Sequence, residues 1–201
     1  VTRWLRIAEE SLSRTDIKCF ITPGNDDRLD IDPLFNECQR VINPEGRAVQ
    51  LDDHHVMIST GYANMTPWNC PRDVSEEELA TRIESMASRV IDMSNCIFNF
   101  HCPPFDSGLD SAPKLDDKLR VEVKDGSLSI VPVGSKSVRS AIEKYQPLLG
   151  LHGHIHESRG TCKIGRTLCM NPGSEYSEGI LRGMVVNIER DRVKGYLPTS
   201  G

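Results

Sequence analysis

"GLHGHIHES", residues 150–158, carries His152, His154 and His156 at alternate positions, directly after the apolar run "PLLGL". In an extended chain successive side chains point to opposite faces, so residues spaced by two share a face, with neighbours roughly 6–7 Å apart. A buried strand running into such a segment can offer two or three imidazole nitrogens to one centre. Gly150 and Gly153 bracket His152 and permit close approach of the backbone to an ion or substrate. Short histidine tracts occur as solvated loops as well as metal sites, so the segment needs partners elsewhere in the chain.

The chain's 201 residues are 38% hydrophobic and 26% charged, which fits one globular domain with its own core. The net charge of −5 and the lack of any lysine or arginine run argue against electrostatic capture of nucleic acid or an anionic membrane. Cys19, Cys38, Cys70, Cys96, Cys102, Cys162 and Cys169 form no C-x-x-C pair and are odd in number. They read as free thiols in a reducing compartment. No apolar stretch is long enough for a leader or a bilayer span, so a cytoplasmic location is expected.

Helical and strand patterns alternate along the chain. Residues 2–14 place Trp4, Leu5, Ala8 and Leu12 on one helical stripe, and "DIKCFITPGNDD" follows as a short strand entering a glycine turn. "GRAVQLDDHHVMIST" reads as two strands around a turn. "SEEELATRIESMASRVI" reads as a helix opened by a capping box of Ser75 and Glu78. "NCIFNFHCPP" is an apolar strand ending at His101, closed by two prolines that cannot continue a ladder. "LRVEVKDGSLSIVPV" predicts a hairpin across Asp125-Gly126, and Ser135 or Ser137 starts a helix through "VRSAIEKYQ".

Three polar clusters thus sit at strand ends: Gly24-Asn25-Asp26-Asp27 after "KCFIT", His101 after "CIFNF", and the histidines after "PLLGL". The carboxyl ends of strands in open α/β sheets are where sites gather. Imidazole nitrogen combined with amide oxygen, without thiolates at zinc-finger spacing, suits Mn, Fe, Co, Ni or Zn.

At these residues the chain resembles the calcineurin-like metallophosphoesterases. That family's ordered signature is G-N-[HD]-[DE], then a histidine at a strand end, then G-H-x-H. It is matched by "GNDD" at 24–27, "NFH" at 99–101 and "GHIH" at 153–156, and the N-P-G-S turn of the small phosphodiesterase-like members by "NPGS" at 171–174. The resemblance runs from about residue 16 to about residue 190. It implies an α/β fold, a sandwich of two mixed β-sheets flanked by helices (α/β/β/α), with two divalent transition-metal ions above the strand ends. It further implies that Asn25, His101 and His154 hold one ion and that His156 contributes to the other. The implied activity is hydrolysis of a small phosphomonoester or phosphodiester by a metal-bound hydroxide. His152 falls outside the match and reads as a supporting or surface residue.

Two departures accompany the resemblance. The family's Asp-x-His and bridging aspartate precede G-N-x-D, yet only 23 residues precede Gly24 and none of them forms Asp-x-His. The expectation is a single domain over residues 1–201 that lacks an N-terminal strand-helix-strand segment of a longer protein. "LDDHH" supplies Asp52 with His54 and Asp53 with His55, but between two strands, where it reads as a hairpin turn. In addition, Asp26 stands where many members carry the histidine assigned to protonate the leaving group. A carboxylic acid of ordinary pKa about 4 is a poor proton donor at neutral pH. Asp26 is therefore expected to orient rather than protonate, or the leaving group to depart unaided.

Lesser candidates are Arg28, placed to reach a phosphate, and Arg139, near a helix N-terminus but read as helix surface. "NPGS" reads as a turn buttressing the G-H-x-H loop through a left-handed Gly173. Tyr62 and Trp68 read as site mouth or core. Two functions from different classes fit these residues: a metal-dependent phosphoesterase acting on a small phosphoester, or a non-catalytic scaffold of the same fold that binds other proteins.

Overall fold

A computed structural model describes residues 1–201. Helix α1 (Thr2–Leu12) leads to two short parallel strands, β1 (Cys19–Phe20) and β2 (Val41–Ile42), separated by a 3-10 segment at Leu29–Glu37. An antiparallel pair follows, β3 (Arg47–Gln50) and β4 (Val56–Thr60). After it come the short parallel pair β5 (Ala63–Asn64) and β6 (Asp73–Val74), and then α2 (Glu76–Ala87). Strand β7 (Cys96–Phe100) precedes β8 (Ser111–Pro113), β9 (Val123–Lys124), β10 (Ser127–Leu128), β11 (Ile130–Pro132) and α3 (Lys136–Tyr145). Last come β12 (Leu149–Leu151), β13 (Gly160–Ile164), β14 (Thr167–Asn171), β15 (Arg182–Glu189) and β16 (Arg192–Ser200).

Six strands form the central sheet in the order β13-β14-β12-β7-β4-β3. Strands β14, β12, β7 and β4 run parallel, while β13 and β3 pair antiparallel at the edges. Parallel strands are covered on both faces, which explains why "CIFNF" and "VMIST" read as nearly unbroken apolar runs. One face puts Ile58, Phe98, Phe100 and Cys169 against Leu79, Ile83 and Met86 of α2 and Val138 and Ile142 of α3. The other puts Met57, Ile97, Leu149 and Met170 against Met184, Val186, Ile188 and Val193 of the β15–β16 hairpin. The α/β class expected from the sequence is what the structure has. Its second β layer is a two-stranded antiparallel ribbon where a mixed sheet was expected.

Local signals behave as their chemistry requires, with two exceptions. Ser75 accepts from the Glu78 N–H at 3.1 Å, and Ser135 accepts from the Val138 N–H at 3.1 Å, so both hydroxyls cap helix starts. The Glu78 carboxylate, however, pairs with Arg82 rather than closing the capping box. Asp125 and Gly126 both have positive φ, 53° and 77°, as a tight β9–β10 hairpin demands. Trp4 is the second exception, 75% exposed although the periodicity placed it on the apolar stripe. In α1 only Leu5 is buried, against Phe35 and Val41 in a small separate cluster.

The parallel registers bring Thr60 opposite Phe100, and Leu151 opposite both Asn99 and Met170. The carboxyl ends of β4, β7, β12 and β14 therefore lie along one edge of the sheet, with His101 and His152 immediately past it. Phe98 is fully buried and stacked on Phe100 at 4.7 Å between centroids. Phe98→Ala is expected to destabilise the fold by about 3–5 kcal/mol in a urea titration, the range for emptying a well-packed aromatic site.

Candidate metal centre

Three side chains from three strand ends meet around one atom. Nε2 of His101 and Nδ1 of His154 each donate to Oδ1 of Asn25 at 3.1 Å, and the two rings lie 5.0 Å apart between centroids. Asn25 is buried. Its amide is oriented from behind, because Nδ2 donates to Oδ1 of Asp73 at 2.8 Å.

The loop carrying Asn25 is tied down at several points. Asp27 Oδ2 accepts from the Gly24 N–H at 2.8 Å, closing the turn on itself. An added Cβ on Gly24 would sit 2.9 Å from Cε1 of His101, so this approach admits only glycine. Arg72, fully buried, donates to the carbonyls of Asp27 and Arg28 and forms an ion pair with Asp32. Its own backbone N–H bonds the Asn25 carbonyl at 3.0 Å. Asn99 Nδ2 and Ser59 Oγ both bond Thr22 Oγ1, joining the loop's start to the sheet edge.

The histidine segment does not continue as a strand. The ladder ends at Leu151, and His154 takes a left-handed φ of 65°, a conformation uncommon for a side chain of its size. The three histidines therefore do not share a face. His152 turns inward, His154 turns to Asn25, and His156 is exposed with its ring edge-on to Tyr176 at 5.5 Å. Asn171 fixes this shape by donating to the Ile155 carbonyl at 2.8 Å and accepting from the Gly173 N–H at 2.9 Å. Gly173 has φ 72°, and the Ser174 N–H bonds the His156 carbonyl. "NPGS" is thus the buttress of the G-H-x-H loop.

Burial first, and then the neighbouring His154 and His156, push the His101 pKa down to about 3. Burial also lowers that of His154. Both rings are therefore neutral imidazoles, the form that ligates a metal. Hydrogen bonds from Thr66, Asn25 and Cys70 outweigh the effect of burial and hold Asp73 below the usual carboxylate range. No three His, Cys, Asp or Glu side chains gather into a metal cage by themselves, so a cation here would need the Asn25 oxygen as a further donor. With the ring protons moved to the opposite nitrogens, His101 Nε2, His154 Nδ1 and Asn25 Oδ1 would offer the N and O donors that a single divalent ion takes. His156 lies near enough to influence His101 but bonds neither it nor Asn25.

Other candidates are dispersed. Asp26 is exposed beside the Cys70 thiol, whose pKa is pushed up by burial and by the Asp73 and Asp26 carboxylates. Arg28 is exposed and pairs with Asp30. Arg139 bonds the Phe105 and Asp106 carbonyls and pairs with Glu143, a structural role on the helix surface. Tyr62 packs against the core under Arg82, while Trp68 is exposed. Asp52 chelates the His55 Nδ1 and the N–H groups of His54 and His55, forming the turn before β4 at the opposite end of the sheet. Arg72 and Asp73 went unnoticed in the sequence. Nothing in "CPRDV" marks an arginine for full burial or an aspartate for contact with a residue 48 positions earlier.

A cavity of 210 Å³ borders His101, His152 and Gly153, and a polar cleft of 420 Å³ borders His156, Arg159, Ser174 and Tyr176. A cavity of 590 Å³ between Asp32 and Arg47 is lined by none of the candidate residues. No helix is long and apolar enough to cross a membrane.

No family model matches the chain. It is 32% identical over 152 residues to the uncharacterized protein MJ1162 of Methanocaldococcus jannaschii, covering 75% of this chain and 61% of that protein. The chain therefore spans about 61% of the length of this curated relative. Among solved structures, one is similar at 17% identity and a TM-score of 0.60, covering 90% of this chain and 65% of the other. TT1561 of Thermus thermophilus is similar at 16% identity and a TM-score of 0.53, covering 90% of this chain and 72% of the other. These likenesses show a shared fold.

His152 gives the site an acid-sensitive neighbour. Its Nδ1 donates to the Phe100 carbonyl at 3.0 Å, its Nε2 is buried without a partner, and burial lowers its pKa to about 4 despite the carbonyl bonds. Unfolded, it would bind a proton near pH 6.5. The stability it contributes is therefore complete above that pH and is lost as pH falls towards 4. The metal-free protein is expected to lose about 1.4 kcal/mol per pH unit for each such histidine across that window. Urea titrations between pH 7 and 4.5 check this, and His152→Gln should make the slope shallower.

Proposed function

We propose that the chain is the core of a metal-dependent phosphoesterase acting on a small phosphomonoester or phosphodiester. The observation that carries this reading is the convergence of His101 Nε2 and His154 Nδ1 on Asn25 Oδ1, each at 3.1 Å, at the carboxyl edge of the sheet. Support comes from the order in which "GNDD", "NFH", "GHIH" and "NPGS" occur and from the shared α/β fold.

Asn25, His101 and His154 hold one divalent ion, and His156 serves a second in the whole protein. Manganese, iron, cobalt, nickel and zinc all match this donor chemistry. Ions bound there supply Lewis acidity towards phosphorus and acidify water. The chain's own residues position and exclude. Gly24 allows the Asn25 loop to close on His101, and Asn171 holds the 153–156 loop in place. Asp26 orients rather than protonates, and Arg28, released from Asp30, is the group available to a phosphate oxygen. The polar cleft at His156 admits a compact ester, and the net charge of −5 disfavours a long polyanion.

The test is ion binding followed by turnover. The protein is expected to take up manganese and to hydrolyse a bis-aryl phosphate faster than an alkyl ester, since Asp26 does not protonate the leaving oxygen. His101→Ala should weaken ion binding by more than the roughly 10–100-fold typical of losing an outer hydrogen-bond partner. Equal rates on aryl and alkyl esters would refute the role given to Asp26. Absence of both ion binding and turnover would instead favour the scaffold reading.

A further inference from the structure

We infer that Asp73 is the positioning residue of the site, because it decides which end of the Asn25 side chain faces His101 and His154. The inference rests on reading that trio as an ion-binding set. A carboxamide can turn end over end with little change in shape. One orientation presents an oxygen to the centre, and the other presents an NH2 group that cannot ligate a cation.

The choice is dictated two bonds behind the site. Asp73 Oδ2 accepts from the Thr66 N–H at 3.0 Å, the Cys70 N–H at 2.9 Å and the Thr66 hydroxyl at 2.5 Å. Two of those three donors are backbone N–H groups, which cannot reverse their role. This corner of the 66–73 loop therefore requires an oxygen. The second oxygen, Oδ1, is then also an acceptor, because the group is a carboxylate. Asn25 must meet it with Nδ2, at 2.8 Å, and so must turn Oδ1 towards the histidines. The Arg72 N–H on the Asn25 carbonyl holds the two segments in register independently, and the pairing of Asp73 with Ala63 fixes the aspartate's own strand. The aspartate thus transmits polarity from a loop to the centre without touching the ion.

Asp73→Asn tests this with almost no change of volume. The new carboxamide must keep its oxygen towards the Thr66 and Cys70 N–H groups, so it presents NH2 to Asn25. Asn25 then turns over, and its own NH2 meets the imidazoles. Manganese affinity, followed by the ion's magnetic resonance signal, is expected to fall roughly 10–100-fold, as for loss of other outer-shell partners. The double variant Asn25→Asp/Asp73→Asn exchanges the two groups, returns an oxygen to the centre and should recover most of the affinity. In the metal-free protein, imidazole ¹⁵N shifts supply a readout that needs no ion. His101 Nε2 and His154 Nδ1 donate in the wild type and become acceptors in Asp73→Asn.

Unchanged imidazole tautomers and unchanged affinity in Asp73→Asn would overturn the inference. So would a folded double variant as impaired as the single one, since a merely structural aspartate gains nothing from the exchange. Should the single variant fail to fold, ion binding by the double variant decides alone. A wild type that binds no ion would defeat the proposed function, while the tautomer readout would still judge the part played by Asp73.

Discussion

The half-buried rings of His101 and His154 stand 5.0 Å apart as neutral imidazoles, and a shared acceptor between them satisfies both of their inward N–H groups. Asn25 Oδ1 is that acceptor. A carboxylate in the same place would bring a charge into the half-buried centre, with a desolvation cost of its own. The chain instead keeps its formal negative charge one hydrogen bond further back, on Asp73. The centre is thus an uncharged trio held together by N–H bonds to one oxygen, with a negative charge one hydrogen bond behind it.

The sheet makes that set possible. Parallel strands β4, β7 and β12 deliver their last residues to one edge, so His101 follows β7 and His154 lies three residues beyond β12, both without a long loop. The irregular segments past that edge are held by side chains: Asn171 under the histidine loop, Arg72 and Asp73 under the asparagine loop. The left-handed φ of 65° at His154 belongs to this arrangement, because an extended chain would have swung the ring away from Asn25. Strain at one residue is tolerated because several hydrogen bonds fix its neighbours.

What was legible in the sequence follows the same division. Periodicity and capping chemistry found α2, β7 and the Asp125-Gly126 hairpin, because each is decided by residues close in sequence. The strand-end rule pointed to Asn25, His101 and His154, which the structure brings into mutual contact. Alternation misjudged the histidine run, since it presumed a strand where the ladder stops at Leu151. Trp4 was misplaced because α1 buries only one residue against a small cluster. The second β layer was expected as a mixed sheet, a property of the pairing between distant segments that no local pattern encodes. Arg72 and Asp73 were invisible for a related reason: their importance lies in what they touch across more than forty positions.

"LDDHH" and "GLHGHIHES" offer similar side chains that end in opposite arrangements. Asp52 receives His55 Nδ1 at 2.7 Å and two backbone N–H groups, while His55 Nε2 reaches the Glu189 carbonyl at 3.2 Å. Each of these polar atoms is satisfied by a neighbour, and the turn stands at the amino end of β4, away from the edge where the strands deliver their polar residues. In the other cluster His101 and His154, from two strand ends, donate to a single oxygen of Asn25, which follows a third. Closely spaced histidines occur in both segments. Strand polarity separates them, because it decides whether neighbouring side chains satisfy one another locally or converge from remote parts of the chain on a shared point.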